Sequence, residues 1–157
     1  MPPENAAIIE TWQRLADTRA LSFTATPGPD STTGWAGRGH GTVAVQRNHD
    51  SIRFLEHGSF ALDGGSTPVA FHNVYHWRYM GDRLSLSHER FGSDAPAWLF
   101  DLVANDAGGL ISDAAHRCGA DDYRGRLVLA EQGFSLHWSI CGPRKDESLI
   151  YHYHCAD

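Results

Sequence analysis

The stretch that decides the fold is GFSLHWSICGPRKDESLIYHYHC, residues 133–155. Apolar and polar residues alternate on both sides of its centre, and Phe134 and Trp138 fall on one face of the first half. Alternation with a period of two is typical of a half-buried strand. The central segment, GPRKDE, has the glycine, proline and charged residues of a hairpin turn. The stretch therefore predicts two antiparallel strands, Gly133–Cys141 and Ser148–Cys155.

The same alternation occurs upstream in five further segments, with short turns and no helix between most of them. Strands joined by short turns indicate an antiparallel meander, and such strands commonly close into a barrel because closure removes exposed edges. We predict a mainly β protein, with a closed antiparallel barrel at 34–155 inside a single domain of residues 1–157. The five upstream strands are predicted at Gly41–Gln46, Ser51–Gly58, Pro68–Tyr79, Arg83–Phe91 and Arg126–Glu131.

Two helices are predicted beside the strands. Between residues 1 and 20, an apolar stripe that includes Ile8, Trp12 and Leu15 predicts an N-terminal helix. A second helix is predicted at about 94–104, where Asp94 offers an N-cap and a proline and apolar residues follow. We expect this inserted helix to close one end of the barrel or to pack beside it.

Composition narrows the function classes. The chain has 13 Lys and Arg against 19 Asp and Glu, a formal charge of −6, and no block of basic residues, which disfavours nucleic acid as a partner. Apolar runs fall far short of the ~18 residues that a membrane span needs, and the N-terminus lacks the features of a signal peptide. The three cysteines include no close pair and do not form a disulfide framework. We therefore expect no membrane partner and a cytoplasmic location.

One face of each predicted strand carries most of its aromatic residues, and we expect this face to line the barrel. It combines apolar walls with a few polar groups, as small-molecule sites do. A filled core whose tyrosine hydroxyls reach the rim is the alternative, and it stays open. If the aromatic faces point inward, the outward faces carry five histidines: His72, His76, His137, His152 and His154. The candidate ligand-binding residues on the inward face are Glu56, Asn73, Tyr75, Trp77, Trp138 and Tyr153.

The densest polar cluster is HRCGADDY, residues 116–123. As a catalytic site, His116 would move a proton, Asp121 would orient it, and Tyr123 or Lys145 would stabilise developing negative charge. A loop in which Asp121 binds backbone amides is the alternative, and a metal site is disfavoured because the spacing matches no common zinc motif. Beside Lys145, Arg144 is a candidate for binding an anionic ligand group, with a solvated turn as the alternative.

Several pieces of this sequence recur together in a known family: Glu56-His57-Gly58, Asn73-Val74-Tyr75-His76-Trp77, His88-Glu89-Arg90-Phe91-Gly92, His116-x-Cys118-x-x-Asp121-x-Tyr123, and Trp138 followed by Gly142-Pro143-Arg144-Lys145-Asp146. They resemble an uncharacterised family of small lipocalin-like proteins, a domain of unknown function. Gly34-Trp35 followed by alternating glycines more remotely resembles the haem-binding nitrobindin barrels. The resemblance spans about 34–153 and implies a calycin-type barrel with a pocket, but no reaction.

These observations predict, first, a barrel that binds an apolar or aromatic small molecule carrying a polar or anionic group. The alternative is a cofactor-independent enzyme of the isomerase, cyclase, lyase or hydratase type that uses His116 in the same pocket. A haem or metal carrier is the third choice, although no axial histidine can be assigned. We expect the protein to need no cofactor and to have the small molecule as its partner. Whether it forms a homodimer stays open.

Overall fold

A computed structural model describes residues 3–29, 36–65, 67–89, 96–105, 108–113, 116–118, 121–143 and 146–156. These residues form one helix and eleven strands. The helix, α1, is Pro3–Asp17. The strands β1 to β11 are, in chain order, Thr18–Pro27, Gly37–Arg47, Ser51–Leu62, Val69–Tyr79, Leu84–His88, Ala97–Ala104, Leu110–Ser112, His116–Cys118, Asp121–Ala130, Gly133–Cys141 and Asp146–Cys155.

Ten of these strands form a closed antiparallel barrel. From β1 the sheet continues in chain order to β7, which pairs with β9, and the ring closes through β10 and β11 back to β1. β8 is not part of the ring. It pairs with the first residues of β9, on the same edge of β9 that pairs further along with β7. The prediction of a mainly β protein with a closed antiparallel barrel and an N-terminal helix is confirmed.

The aromatic faces of the strands point into the barrel. Phe54 and Glu56 of β3 are fully buried, and so is Trp77 of β4, which lies close to Phe54 across the strand pair. Because a slip of one residue would turn each strand inside out, this burial fixes the register that alternation predicts. The inward residues of the last two strands include Phe134, Leu136, Trp138, Tyr151 and Tyr153.

The inserted helix predicted at about 94–104 is wrong, because Ala97–Ala104 form strand β6. Leu86 of β5 pairs with Phe100, whereas the next residue of β5 pairs with Trp98, so Leu99 is an extra residue in the ladder. This bulge buries Leu99 and Phe100 side by side, with Leu102 buried two residues on. A bulge interrupts the period of two, and the resulting apolar spacing is similar to that of an amphipathic helix.

Helix α1 covers the end of the barrel where β9 and β10 are joined. Its Ile8 and Leu15 are buried in the core, and the ring of Trp12 contacts that of Tyr79, with 5.6 Å between their centroids. The guanidinium of Arg14 donates hydrogen bonds to the carbonyls of Ala130 and, at 2.8 Å, Gly133. The helix is thus attached both by apolar packing and by bonds to the turn that follows β9.

Candidate ligand site

A cavity of about 520 Å³ opens at the end of the barrel away from α1. Its wall comes mainly from the hairpin of β3 and β4, from the second half of β1, and from the ends of β10 and β11 that face their connecting loop. Two polar side chains, Asn73 and Glu147, are part of the described lining. The lining residues are Phe23, Ala25, Phe60, Leu62, Val69, Ala70, Phe71, Asn73, Ile140, Glu147 and Leu149.

Three phenylalanines and a tyrosine form a continuous aromatic wall. Phe23 stacks on Phe60 with 5.4 Å between ring centroids and meets the edge of Phe71 at 5.4 Å. Its other neighbour is Tyr151, stacked at 5.0 Å, which carries the wall from the cavity into the core. Gly39 makes room for this arrangement, since a Cβ atom there would lie 2.3 Å from the ring of Phe23. Aromatic contacts of this kind add about 0.5–1.5 kcal/mol per pair to the burial of area.

A buried carboxylic acid lies beneath the cavity. Glu56 pairs in register with the lining residue Asn73, and its side chain is fully buried. The hydroxyl of Tyr153 donates a hydrogen bond of 2.7 Å to its Oε2. Desolvation raises the pKa of Glu56 to about 8, against an ordinary value of 4.5, and the bond from Tyr153 only partly opposes this. Glu56 is therefore mostly neutral at pH 7.

Three buried polar atoms of the barrel interior have no hydrogen-bond partner among the described residues, and one of them belongs to Glu56. Its Oε1 has no hydrogen-bond partner among the described residues, and the same is true of Nε1 in Trp77 and in Trp138. Desolvation, together with the nearby Glu56, raises the pKa of Tyr151 and of Tyr153 above the ordinary value of 10. Buried groups are usually hydrogen-bonded, so an interior with one unpaired acceptor and two unpaired donors calls for an explanation.

The structure places the predicted ligand-binding residues at different depths of the barrel interior. Asn73 lines the cavity, while Tyr75 and Trp138 lie deeper, with 5.8 Å between their ring centroids. Trp77 and Tyr153 are deeper still, at the level of Phe134, which contacts both rings. Arg144 lies outside the described residues.

The predicted catalytic residues are placed only in part. The backbone register of β8 and β9 sets His116 opposite Tyr123, and Asp121 opposite Cys118. Tyr123 is buried and pairs across the sheet with the lining residue Ile140. Lys145 lies outside the described residues, and so does the Gly34-Trp35 pair used for the remoter resemblance.

An outward-facing acid adds a second polar cluster that was not predicted from the sequence. Glu89 accepts a hydrogen bond of 2.9 Å from Arg53 and is hydrogen-bonded to Nε2 of His76. Its side chain is 5% exposed, so burial raises its pKa, but the bonds from Arg53 and His76 outweigh this and lower it overall. His76 faces outward as predicted, but it is paired with Glu89. The cluster ties the end of β5 to β3 and β4.

Residues 25–155 match the family described as "Family of unknown function (DUF6314)". The chain belongs to that family. The DUF6314 match begins in β1, ends with β11 and leaves α1 outside. Comparison with the curated proteins and with the solved structures found no match. The described part of the chain has no helix with the length and hydrophobicity for crossing a membrane, and no three of its His, Cys, Asp or Glu side chains are grouped as metal ligands.

The contribution of β1 to the site was not predicted from the sequence. Thr18–Pro27 form a full strand that contributes Phe23 and Ala25 to the cavity. The alternation of Leu21, Phe23 and Ala25 with small polar residues is the signal that would have found it. Glu147 was also missed, because it was assigned to a turn and lies on β11.

Proposed function

We propose that this barrel binds a small molecule that has an apolar, largely aromatic body and at least one polar group. The observation that supports the proposal most directly is the cavity of about 520 Å³ with an aromatic wall and two polar lining residues. Ligand pockets typically measure ~300–1,000 Å³ and combine apolar walls with a few oriented polar groups. The fold class alone would not carry this proposal, since barrels serve many functions.

The roles within the cavity follow from position. Phe23, Phe60 and Phe71 would contact the body of the ligand, and Asn73 would bind a polar group at the floor of the cavity. The finer resemblance to lipocalin-like barrels supports the same interpretation, because an interior ligand site is what that resemblance implies. An anionic ligand group would depend on Arg144 and Lys145.

A neutral fluorescent probe, N-phenyl-1-naphthylamine, tests the proposal because its emission rises in an apolar site. We expect saturable one-site binding to the wild-type protein. Val69→Trp, at an exposed lining position opposite Phe60, and Ala25→Trp, at a buried one, would fill the cavity and weaken binding by at least about tenfold. Ala44→Trp makes the same change at an exposed position of β2 and should bind as the wild type does.

Two results would contradict the proposal. One is the absence of saturable probe binding to the wild-type protein. The other is probe binding that survives in Val69→Trp and Ala25→Trp as fully as in Ala44→Trp. Near-UV circular dichroism of each variant shows whether its barrel is folded. Native mass spectrometry of freshly purified protein would then give the mass of any ligand that it retains.

A second candidate function is acid–base catalysis in the same cavity. The observation that favours it is the register of β8 and β9, because directly paired residues of antiparallel strands have Cα atoms ~4.5–5.5 Å apart, and His116 pairs with Tyr123. Tyr123 in turn pairs with Ile140 in the cavity wall. His116→Ala should abolish turnover of an identified ligand while leaving the cavity intact, and unchanged turnover would reject this function.

A further inference from the structure

The polar groups in and beneath the cavity are mostly acids and neutral donors. Glu147 and Asn73 are the polar residues of the described lining, which includes no Lys, Arg or His. Glu56 lies directly across the strand pair from Asn73. Two carboxyl groups and an amide oxygen can accept hydrogen bonds from a cation, whereas the described part of the lining offers no positive charge to an anion.

Glu56 lies one strand across from the cavity lining, because its register partner on β4 is the lining residue Asn73. The inward positions of β3 above it are Gly58 and Phe60, and Phe60 lines the cavity. At Gly58 the space is filled by β2, since a Cβ atom there would lie 2.0 Å from the carbonyl oxygen of His40. The unpaired Oε1 of Glu56 is a buried acceptor on the residue that pairs with the lining residue Asn73.

The aromatic rings of the wall favour the same class of ligand. Phe23, Phe60 and Phe71 line the cavity, and Tyr151 continues the wall towards the acid. The face of an aromatic ring attracts a cation within about 6 Å of its centroid, by about 0.5–2 kcal/mol depending on desolvation. A ligand that is both aromatic and cationic would use the rings and the carboxyl groups together.

We propose that the ligand is an organic cation, an aromatic or apolar amine whose ammonium group is bound by Glu56 and Asn73. The inference rests on the ligand-binding function proposed above. Binding converts the neutral acid to a carboxylate that faces the ammonium group, and the proton of Glu56 goes to solvent. One proton is therefore released for each amine bound at a pH where the empty site is neutral.

Glu56 is the group that exchanges this proton. The titratable groups around it are the hydroxyls of Tyr75 on β4 and of Tyr151 and Tyr153 on β11. Burial raises the pKa of Tyr151 and of Tyr153, so both stay neutral throughout the physiological range. On β2 its register partner is Val43, and no charged side chain of the described residues shifts its titration.

Three naphthalene derivatives of matched shape test the proposal: 2-naphthylmethylamine, 2-naphthylmethanol and 2-naphthoate. Isothermal titration calorimetry at pH 7, in phosphate and in Tris, gives both the affinity and the number of protons released. We expect the amine to bind at least about tenfold more tightly than the alcohol. We also expect nearly one proton to be released with the amine, none with the alcohol, and the naphthoate to bind most weakly.

The pH dependence gives a second readout. Because burial raises the pKa of Glu56 to about 8, its ionised fraction rises with pH between 6.5 and 7.5, and apparent affinity scales with the fraction in the binding form. Amine affinity should therefore rise several-fold, and at most about tenfold, from pH 6.5 to pH 7.5. In Glu56→Gln the pH dependence and the proton release disappear, and the preference for amine over alcohol falls about tenfold.

The outcomes separate this inference from the function on which it rests. If the alcohol binds but the amine binds no better, or if the naphthoate binds best, the cation proposal is wrong and the ligand site stands. Proton release that persists in Glu56→Gln would also overturn it. If none of the three compounds binds, both proposals fail. Ala44→Trp, on the outer face of β2, serves as the control and should behave as the wild type in every titration.

Discussion

Replacing Glu56 by glutamine should remove a large pH dependence of stability. In the folded protein Glu56 keeps its proton up to a pKa of about 8, whereas in the unfolded chain it loses it at about 4.5. Between these values the folded state binds the extra proton, so the free energy of unfolding falls as pH rises, by about 1.4 kcal/mol per unit. Integrating over pH 5.5 to 7.5 gives a loss of about 2–3 kcal/mol from this group.

In Glu56→Gln the amide oxygen still provides an acceptor for the hydroxyl of Tyr153, and the side chain cannot ionise. Urea unfolding of both proteins at pH 5.5 and 7.5 gives the difference in unfolding free energy at each pH, and the other titrating groups cancel in that difference. We expect the difference to shift by about 2–3 kcal/mol in favour of the variant as pH rises, which is about 4–12 °C in Tm for a chain of this size.

An exposed acid provides the control for this experiment. Glu131 lies in the turn between β9 and β10, and Glu131→Gln makes the same chemical change at the surface. Its stability should follow that of the wild type at both pH values. If Glu56→Gln also follows the wild type, with a difference that does not change between pH 5.5 and 7.5, the folded state does not hold the proton and the reasoning on Glu56 is refuted.

Three further substitutions test one contact in the cavity wall and two contacts elsewhere in the barrel. Gly39→Ala would place a Cβ atom 2.3 Å from the ring of Phe23 and should lower the free energy of unfolding by about 1–3 kcal/mol; unchanged urea unfolding would contradict this. Glu89→Gln removes the charge that binds Arg53 and should cost about 1–3 kcal/mol at pH 7. Because the pKa of Glu89 is lowered on folding, that loss should shrink as pH falls towards the value at which the acid is protonated. Arg14→Ala removes the bonds from α1 to the turn after β9, and thermal unfolding should show a loss of about 1–2 kcal/mol.

The fold followed from the sequence wherever strands kept a strict period of two. β3, β4, β10 and β11 did so, and their inward faces were predicted correctly, including the position of Glu56. β6 did not, because the bulge at Leu99 shifts the apolar spacing. β1 was missed because Thr18–Pro27 join α1 without a turn, and a short alternating segment beside a helix has no boundary signal of its own.

The site was less predictable than the fold. Alternation alone assigns Asn73 and Trp77 to the same face of β4. It does not distinguish a residue that lines the cavity, as Asn73 does, from one in the packed core, as Trp77 is. That distinction depends on how Phe23 and Gly39 fill the opposite wall, a contact between strands whose register is set by the whole sheet. The pKa of Glu56 likewise depends on burial in three dimensions, and a sequence gives no measure of it.

The buried polar groups of the barrel interior, Glu56 above all, lower the stability of the fold. An apolar side chain of similar size would avoid burying a carboxyl group whose Oε1 lacks a partner among the described residues, and the unpaired Nε1 groups of Trp77 and Trp138 add to the same penalty. Departures from the rules of core packing concentrate where a protein binds or reacts. If Glu56→Gln raises stability at pH 7.5 and also removes the preference for an amine, then one side chain both weakens the fold and selects the ligand. Such a trade-off is the expected signature of a binding group and not of a core residue.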